Sequence, residues 1–394
     1  MLPSRPVPAA DSHLARAQAL GPALAAAAET AETERQLPAS LQAALHEAGF
    51  FRMLRPRWLG GDGIDPLTYI AVIEEIARHD ASAAWCINQA TGCAMAAGYV
   101  STEVAHEIFG GRDAVLAWGP SPQARAVAVE GGYRVDYAGT FASGSRHATW
   151  LGAHCPVQEA DGTTRRDANG QIEIRTMLFP KSRAVMQDVW HVLGLRGTGS
   201  DSFRVEGLLV PAEHSLVRDD EATRRALDPI YRMSSNMIYA AGFASVALGI
   251  ARAMLDGFLD IALDKTPRGM GRRLRDSAVI QADVATSEAK WQASRSWLHA
   301  CVGNIWETVQ QQPRATMQQR MALRLAATYA QHEAKAVVDT IHDAAGATAI
   351  FESNPFARRF RDIHTVTQQV QGRKAFFEEV GRFMFGLDAN TVFL

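Results

Sequence analysis

Residues 114–143 read AVLAWGPSPQARAVAVEGGYRVDYAGTFAS, and along them the hydrophobic period drops from 3.6 to two. Alternation of that kind marks strands with one face on a core. Glu130-Gly131-Gly132 separates two alternating runs and reads as a hairpin-type turn. Further short strands follow at LGAHCPVQ (151–158), EIRTMLFP (173–180), AVMQDVWHVLGL (184–195) and FRVEGLLVP (203–211). Six or more such runs within about one hundred residues predict a compact β barrel or sandwich. Its expected span is 114–225.

On both sides the period is helical. In LPASLQAALHEAGFF (37–51), Pro38 or Ser40 can open a helix, and Gly49 stands where a C-terminal cap belongs. Pro66–His79 puts Tyr69, Val72, Ile73 and Ile76 on one face, with Arg78 at the negative end of the helix dipole. Between them PRWLGGDGID (56–65) is glycine-rich and suits a tight loop. Past residue 226, four long Ala-rich amphipathic segments (about 234–264, 276–310, 315–347 and 359–385) predict a bundle. Gly242, Gly249 and Gly257 in the first of them allow close helix approach. The expected fold class is therefore α+β, mostly α. It comprises an N-terminal helical domain (1–113), a central β-barrel or sandwich domain (114–225) and a C-terminal four-helix bundle (226–394).

Composition narrows the function. The chain has 394 residues, 47% hydrophobic and 21% charged, as expected of a globular protein with an ample core. A net charge of -2 offers no basic excess for a phosphate backbone, so nucleic acid is not an expected partner. The most apolar stretch, 244–263, is interrupted by Arg252, Asp256 and Asp260, which argues against membrane insertion. The N-terminus lacks the apolar core of a secretory signal. Cys86, Cys93, Cys155 and Cys301 are scattered, as suits reduced thiols in a cytoplasmic protein. No HExxH or Cys/His cluster suggests a metal.

Three strings carry a resemblance. LHEAGFFRMLRPRWLGGDG followed by EEIARHDASAAW, then WHVLGLRGTGSDSFRVEGLLVP, then DAAGATAIFESNPFARRFRDIHTVTQ resemble, in this order, signatures of the acyl-CoA dehydrogenase superfamily. That resemblance implies the helical, β, helical-bundle architecture with flavin against the bundle. SGSRHATW (143–150) and GLRGTGSDSF (194–203) are more similar to the two-component flavin monooxygenases than to the dehydrogenases. Where a dehydrogenase carries Tyr-Glu-Gly-Thr after its final Arg-Asp pair, this chain has RDIHTVTQQVQGR. No carboxylate follows Asp362 until Glu378, about four turns on if the helix continues. Many monooxygenase relatives also place a His near the position of Gln369. A glutamine exchanges hydrogen bonds but takes no proton at neutral pH. An amine, sulfide or indole carbon, already nucleophilic, needs no such base.

The resemblance also implies a site. Ser143 stands where relatives place a hydroxyl near flavin N5, and Trp118 could wall the ring, although a strand tryptophan is as readily a core residue. Gly119, Ser121 and Gly346 join the implied cofactor contacts. Arg268 and Arg273, in TPRGMGRRLR, form either a solvated connection or a reach toward a neighbouring subunit's flavin phosphate. Ser143, His147, His364 and Gln369 are the candidate catalytic groups, with the histidines equally readable as structural. Gly197-Thr198-Gly199-Ser200 lacks the lysine of a phosphate loop and reads as a tight hairpin lining the pocket. Arg361 and Asp362 read as a structural ion pair.

The implied function is monooxygenation. Reduced FMN or FAD would react with O2, and the C4a-hydroperoxide would pass one oxygen to a small aromatic or N/S-containing substrate. Lacking a nicotinamide motif, the chain would depend on a separate NAD(P)H:flavin reductase. An acyl-CoA dehydrogenase with a relocated base, Glu288 or Glu333, is the alternative, and a flavin-binding protein without catalysis is a third reading. Phe376, Phe377, Phe383, Phe385 and Phe393 enrich the last residues so heavily that a homotetramer is expected to cover them.

Overall fold

The computed structural model describes residues 11–167, 170–392 and 394. Six helices come first: α1 (His13–Ala19), α2 (Gly21–Glu34), α3 (Ala39–Glu47), α4 (Pro66–His79), α5 (Ala81–Ala94) and α6 (Thr102–Phe109). The helix expected at 66–79 forms with those bounds. Asp65 accepts the N–H groups of Leu67 and Thr68, both at 2.9 Å, and Pro66 fills the first turn, where its missing N–H costs nothing. Gly49, with φ 87°, follows the Ala48 cap of α3 in the left-handed conformation that a helix exit uses.

Eight strands follow: β1 (Leu116–Trp118), β2 (Ala124–Val129), β3 (Gly132–Ala142), β4 (Trp150–Gln158), β5 (Ile174–Pro180), β6 (Val185–Gln187), β7 (Asp201–Pro211) and β8 (Ser215–Leu216). Their order is β6-β7-β3-β2-β4-β5-β8, with β1 added parallel to β4. β2 and β3 form the expected hairpin, Val129 opposite Gly132 and Gly131 at φ 76°. A short parallel pairing of β2 with β4 joins the two halves of the path. Phe179 of β5 meets Phe203 of β7 edge-on at 6.3 Å, so the two halves share a core.

The strand expected at 184–195 stops at Gln187. Asp201 Oδ1 accepts the N–H groups of Val189 (3.2 Å) and Trp190 (3.3 Å), removing donors that a ladder would need. Thr198 likewise lies on a short 3-10 turn, Arg196–Thr198, and not on a hairpin.

The bundle comprises α7 (Ser235–Ala262), α8 (Ala278–Gln311), α9 (Met317–Ala345), α10 (Pro355–Val366) and α11 (Ala375–Met384). Its fourth member, expected as one helix over 359–385, is broken in two. Gln371 Oε1 accepts from the buried Arg324 of α9 at 2.6 Å, and Gln369 Oε1 accepts the Gln371 N–H at 2.6 Å. Those bonds fix a 3-10 turn at Val370–Gly372 where α-helix would otherwise continue.

α7 is the axis of the molecule, packed on α4, α5, α8, α9 and α10. It is long and apolar enough to cross a membrane, and its apolar window is wholly buried inside the protein. Two of its glycines permit close contact. A Cβ on Gly242 would lie 1.8 Å from Asn88 Oδ1, and one on Gly249 would lie 2.4 Å from the Glu74 carbonyl oxygen. Gly257 is roomier, its nearest neighbour atom being Arg359 Nη1 at 3.3 Å. Cys86, Cys93 and Cys155 are buried free thiols, and Cys301 is partly buried.

One contact ties the β segment to the bundle. Leu195 has φ 52°, a conformation that a branched side chain rarely adopts. Its N–H donates to Asp362 Oδ1 of α10 at 2.6 Å, and its carbonyl accepts from Thr198 Oγ1 (2.8 Å) and Trp190 Nε1 (3.0 Å). Gly194 makes the approach possible, because a Cβ there would sit 2.3 Å from the Arg361 carbonyl oxygen. Arg361 itself pairs with Glu32, so the ion pair expected between Arg361 and Asp362 does not form.

Two stability predictions follow from this packing. Gly249→Ala should lower the urea midpoint by the equivalent of about 1–3 kcal/mol, since backbone must shift. Gly257→Ala should cost less than half of that. Burial pushes the Asp362 carboxyl up to about 7, against the partial relief of the Leu195 N–H and the Arg358 charge. The folded protein thus holds a proton that the unfolded chain releases near the usual pKa of about 3.9. Stability should fall as pH rises between those values, by at most about 1.4 kcal/mol per pH unit. Asp362→Asn should flatten that dependence in urea titrations between about pH 4 and 7.

Candidate active site

Trp85 and Gln89 of α5, the ends of β1 and β3, the 190–200 segment, Tyr239 and Phe243 of α7, and the broken 365–373 segment enclose one cavity of about 520 Å³. That volume falls in the usual range for small-molecule pockets. The lining is mostly aromatic and amide-bearing. Among the described residues, no Asp or Glu lines it.

Its floor carries a chain of hydroxyls. Trp85 Nε1 donates to Ser143 Oγ at 3.0 Å, Ser143 Oγ meets Ser200 Oγ at 2.8 Å, and Ser200 Oγ meets Thr198 Oγ1 at 2.7 Å. Thr198 donates its only hydroxyl proton to the Leu195 carbonyl. With the Thr198 proton on the Leu195 carbonyl, one proton per hydroxyl gives one order: Trp85 to Ser143, Ser143 to Ser200, Ser200 to Thr198, Thr198 to Leu195. Ser143 is buried and directly follows β3. The end of that strand includes Phe141, which has φ 52° and is 64% exposed beside the cavity, edge-on to Trp190 at 6.1 Å. An aromatic ring held in a strained backbone and left open to a pocket is a mark of a binding position.

A further part of the lining is built on β1. Trp118 is buried, and Gly119 lies so close to β3 that a Cβ would fall 1.8 Å from the Thr140 carbonyl oxygen. The Gly119 carbonyl accepts from the Tyr137 hydroxyl at 2.5 Å. His154 of β4 packs edge-on against Trp118 at 4.9 Å and shares a 2.8 Å hydrogen bond with Thr176. Burial first, then the Arg218 charge, holds His154 well below its ordinary pKa, so it is neutral at pH 7. The Arg218 guanidinium lies over the Trp118 ring, 5.5 Å from its centroid.

The residues expected from sequence thus divide. Trp118, Gly119, Ser143 and Gln369 line the cavity together. Ser121 lies just outside, its hydroxyl closing a local turn with Gln123. His147 packs against Phe51 at 5.9 Å; burial pushes its pKa down to about 4, and its Nε2 has no hydrogen-bond partner. His364 turns away from the cavity, its Nδ1 2.7 Å from the Phe360 carbonyl and its Nε2 3.4 Å from Asp339. Gly346 (φ 59°) terminates α9 at the surface. Arg268 and Arg273 are exposed in the connection from α7 to α8, where Arg273 reaches Asp264 at 3.5 Å. The carboxylates weighed as a relocated base are also elsewhere. Glu288 pairs with Arg252 at 2.5 Å and Glu333 with Lys290 at 3.2 Å.

Sequence reading passed over Trp85, Phe141, His154, Arg218, Tyr239 and Phe243 as site residues. Trp85 with Gln89, and Tyr239 with Phe243, are spaced by four and share a helix face, which was the available signal. On its own such a pair is indistinguishable from core packing. Arg218 and His154 gave no local signal.

Models of the acyl-CoA dehydrogenase family match both helical parts: its N-terminal domain over residues 17–108 and its C-terminal domain over 241–372. Together they cover more than half of the chain. An indole-3-acetate monooxygenase of Acinetobacter baumannii is 28% identical over 344 residues, 87% of this chain and 86% of that protein. The oxygenase subunit HsaA of a flavin-dependent monooxygenase of Rhodococcus jostii is 26% identical over 357 residues, 89% of this chain and 91% of that protein. In three dimensions, XiaF from Streptomyces sp., solved in complex with FADH2 and glycerol, superposes with a TM-score of 0.88 at 23% identity, over 95% of each chain. The chain belongs to the acyl-CoA dehydrogenase superfamily, and these relatives of it are flavin-dependent monooxygenases.

Proposed function

We propose that this protein is the oxygenase component of a two-component monooxygenase that uses reduced FMN or FAD and O2 to place one oxygen atom on a small, electron-rich aromatic or N/S-containing substrate. The absence of any carboxylate from the cavity lining carries the choice between chemistries. Acyl thioester oxidation needs a base at the α-carbon, and nothing in this lining can serve. The cavity suits a flat heterocycle: Trp118 and Phe141 offer aromatic surface, and Ser143 offers a polar atom in the same lining. Bound reduced flavin would supply the activation of O2.

The chain's own residues then have three tasks. Trp85, Tyr239 and Phe243 keep water out, and Trp85 and Phe243 pack at 4.1 Å between centroids. The hydroxyl chain holds Ser143 in one orientation. Gln369, whose Oε1 is already taken by the Gln371 N–H, positions and does not abstract. With His154 neutral and a poor base, a ring carbon as nucleophilic as that of an indole fits better than a phenol needing deprotonation. No nicotinamide motif occurs, so electrons come from a separate NAD(P)H:flavin reductase.

Chemically reduced flavin mixed with the protein, an indole or aryl sulfide, and isotopically labelled dioxygen should give product carrying one labelled atom. Ser143→Ala should divert about tenfold more of the oxygen to hydrogen peroxide. Bleaching of tightly bound yellow FAD by an acyl-CoA, with no labelled product from any arene, would sink the reading.

We further propose a cytoplasmic homotetramer with flavin sites completed between subunits. Met384 (76%) and Phe385 (85%) are largely exposed at the end of α11, with Leu387 and Val392 beside them in the tail. Phe376 is buried, and Phe393 lies outside the described residues. So much exposed apolar surface favours a partner copy. Arg268 and Arg273, exposed and remote from their own chain's cavity, are free to reach a neighbour's flavin phosphate. Light scattering should report four copies, and Arg273→Ala should weaken flavin binding about tenfold while leaving the tetramer intact. A monomer binding flavin at full affinity would refute this.

A further inference from the structure

Arg218 is a cation without a counter-ion in a cavity without an acid. It lines the cavity and is partly buried. Among the described residues it makes no hydrogen bond or ion pair, and its one specific contact is the Trp118 face. The neighbouring carboxylates are committed elsewhere. Asp219 accepts from the Ser235 N–H (2.9 Å) and hydroxyl (2.8 Å), and Asp220 from the Ala222 N–H (3.2 Å) and Thr223 hydroxyl (2.8 Å). A guanidinium stacked on an aromatic ring keeps its N–H donors in its own plane, and here that fork has no protein acceptor. Its field reaches the surrounding buried groups: Cys93, Tyr137, His154 and Tyr239 are each pulled toward lower pKa by the Arg218 charge.

We infer that Arg218 selects an anionic substrate, an aromatic ring carrying a carboxylate on a short arm, and pairs with that carboxylate while the ring occupies the aromatic part of the cavity. The inference rests on the oxygenase reading and narrows its substrate class. A planar carboxylate matches the guanidinium fork, and an uncharged ring would leave the cation unanswered in apolar surroundings. Arg373 also borders the cavity, but it is exposed, and water screens its charge.

Calorimetric titration of the full-length protein tests this without turnover. The probes are indole-3-acetate and phenylacetate against indole-3-acetamide and phenylacetamide, with FMN and riboflavin titrated in parallel. The wild type should bind each acid roughly tenfold or more tightly than its amide. Arg218→Gln should abolish that preference, and Arg218→Lys should keep part of it. Equal affinity of the wild type for acid and amide overturns the proposal before any variant is made. A preference that survives in Arg218→Gln, or vanishes instead in Arg373→Gln, also overturns it. Loss of FMN but not riboflavin affinity in Arg218→Gln, with the acid preference intact, would assign the guanidinium to the flavin phosphate and overturn it too. Acids that bind through Arg218 yet never gain oxygen would support the pairing and refute the oxygenase reading.

Discussion

A hydrogen bond from the Leu195 N–H to the buried Asp362 carboxyl group anchors the junction on which the site is built. It holds the 190–200 segment against α10 at the residue of that segment whose backbone is most strained, Leu195 with its φ of 52°. With it, the Leu195 carbonyl becomes a rigid acceptor for Thr198 and Trp190, and the hydroxyl chain to Ser143 can be built on that acceptor. The β segment and the bundle therefore meet at a peptide group with every polar atom satisfied. The cavity is the space that this junction leaves open.

Much of the scaffold was legible because its causes are local. The 124–142 hairpin alternates residue by residue around Gly131, and α4 carries its own cap in Asp65 and Pro66. Gly242 and Gly249 likewise announced close packing that the structure realises against α5 and α4. The illegible parts have distant causes. Nothing between Thr367 and Lys374 ends a helix by itself; Arg324, on α9, does so by taking the Gln371 side chain. The strand expected after Gln187 is lost to a carboxylate that comes later in the chain, Asp201.

The same division runs through the site. Trp118, Gly119, Ser143 and Gln369 were reached through family-like strings, and they do come together. His147 and His364, which those strings also suggested, lie away from the cavity, the first packed on Phe51 and the second bonded to the Phe360 carbonyl. Arg218 could not have been found by reading alone. What distinguishes it is the lack of an acceptor, and that is a property of the surrounding space and not of its neighbours in sequence.

The one-way order of the hydroxyl chain has a consequence for recognition. Ser143 spends its proton on Ser200 and receives one from Trp85, so toward the cavity it shows only a lone pair. A heterocycle nitrogen placed against it must arrive with its own hydrogen; a bare nitrogen would set two lone pairs face to face. Reversing the serine would require Ser200 and Thr198 to turn in sequence and strip the Leu195 carbonyl of a donor. In that order, a ring bound against Ser143 would be favoured in its hydrogenated form by a peptide group three hydroxyls away.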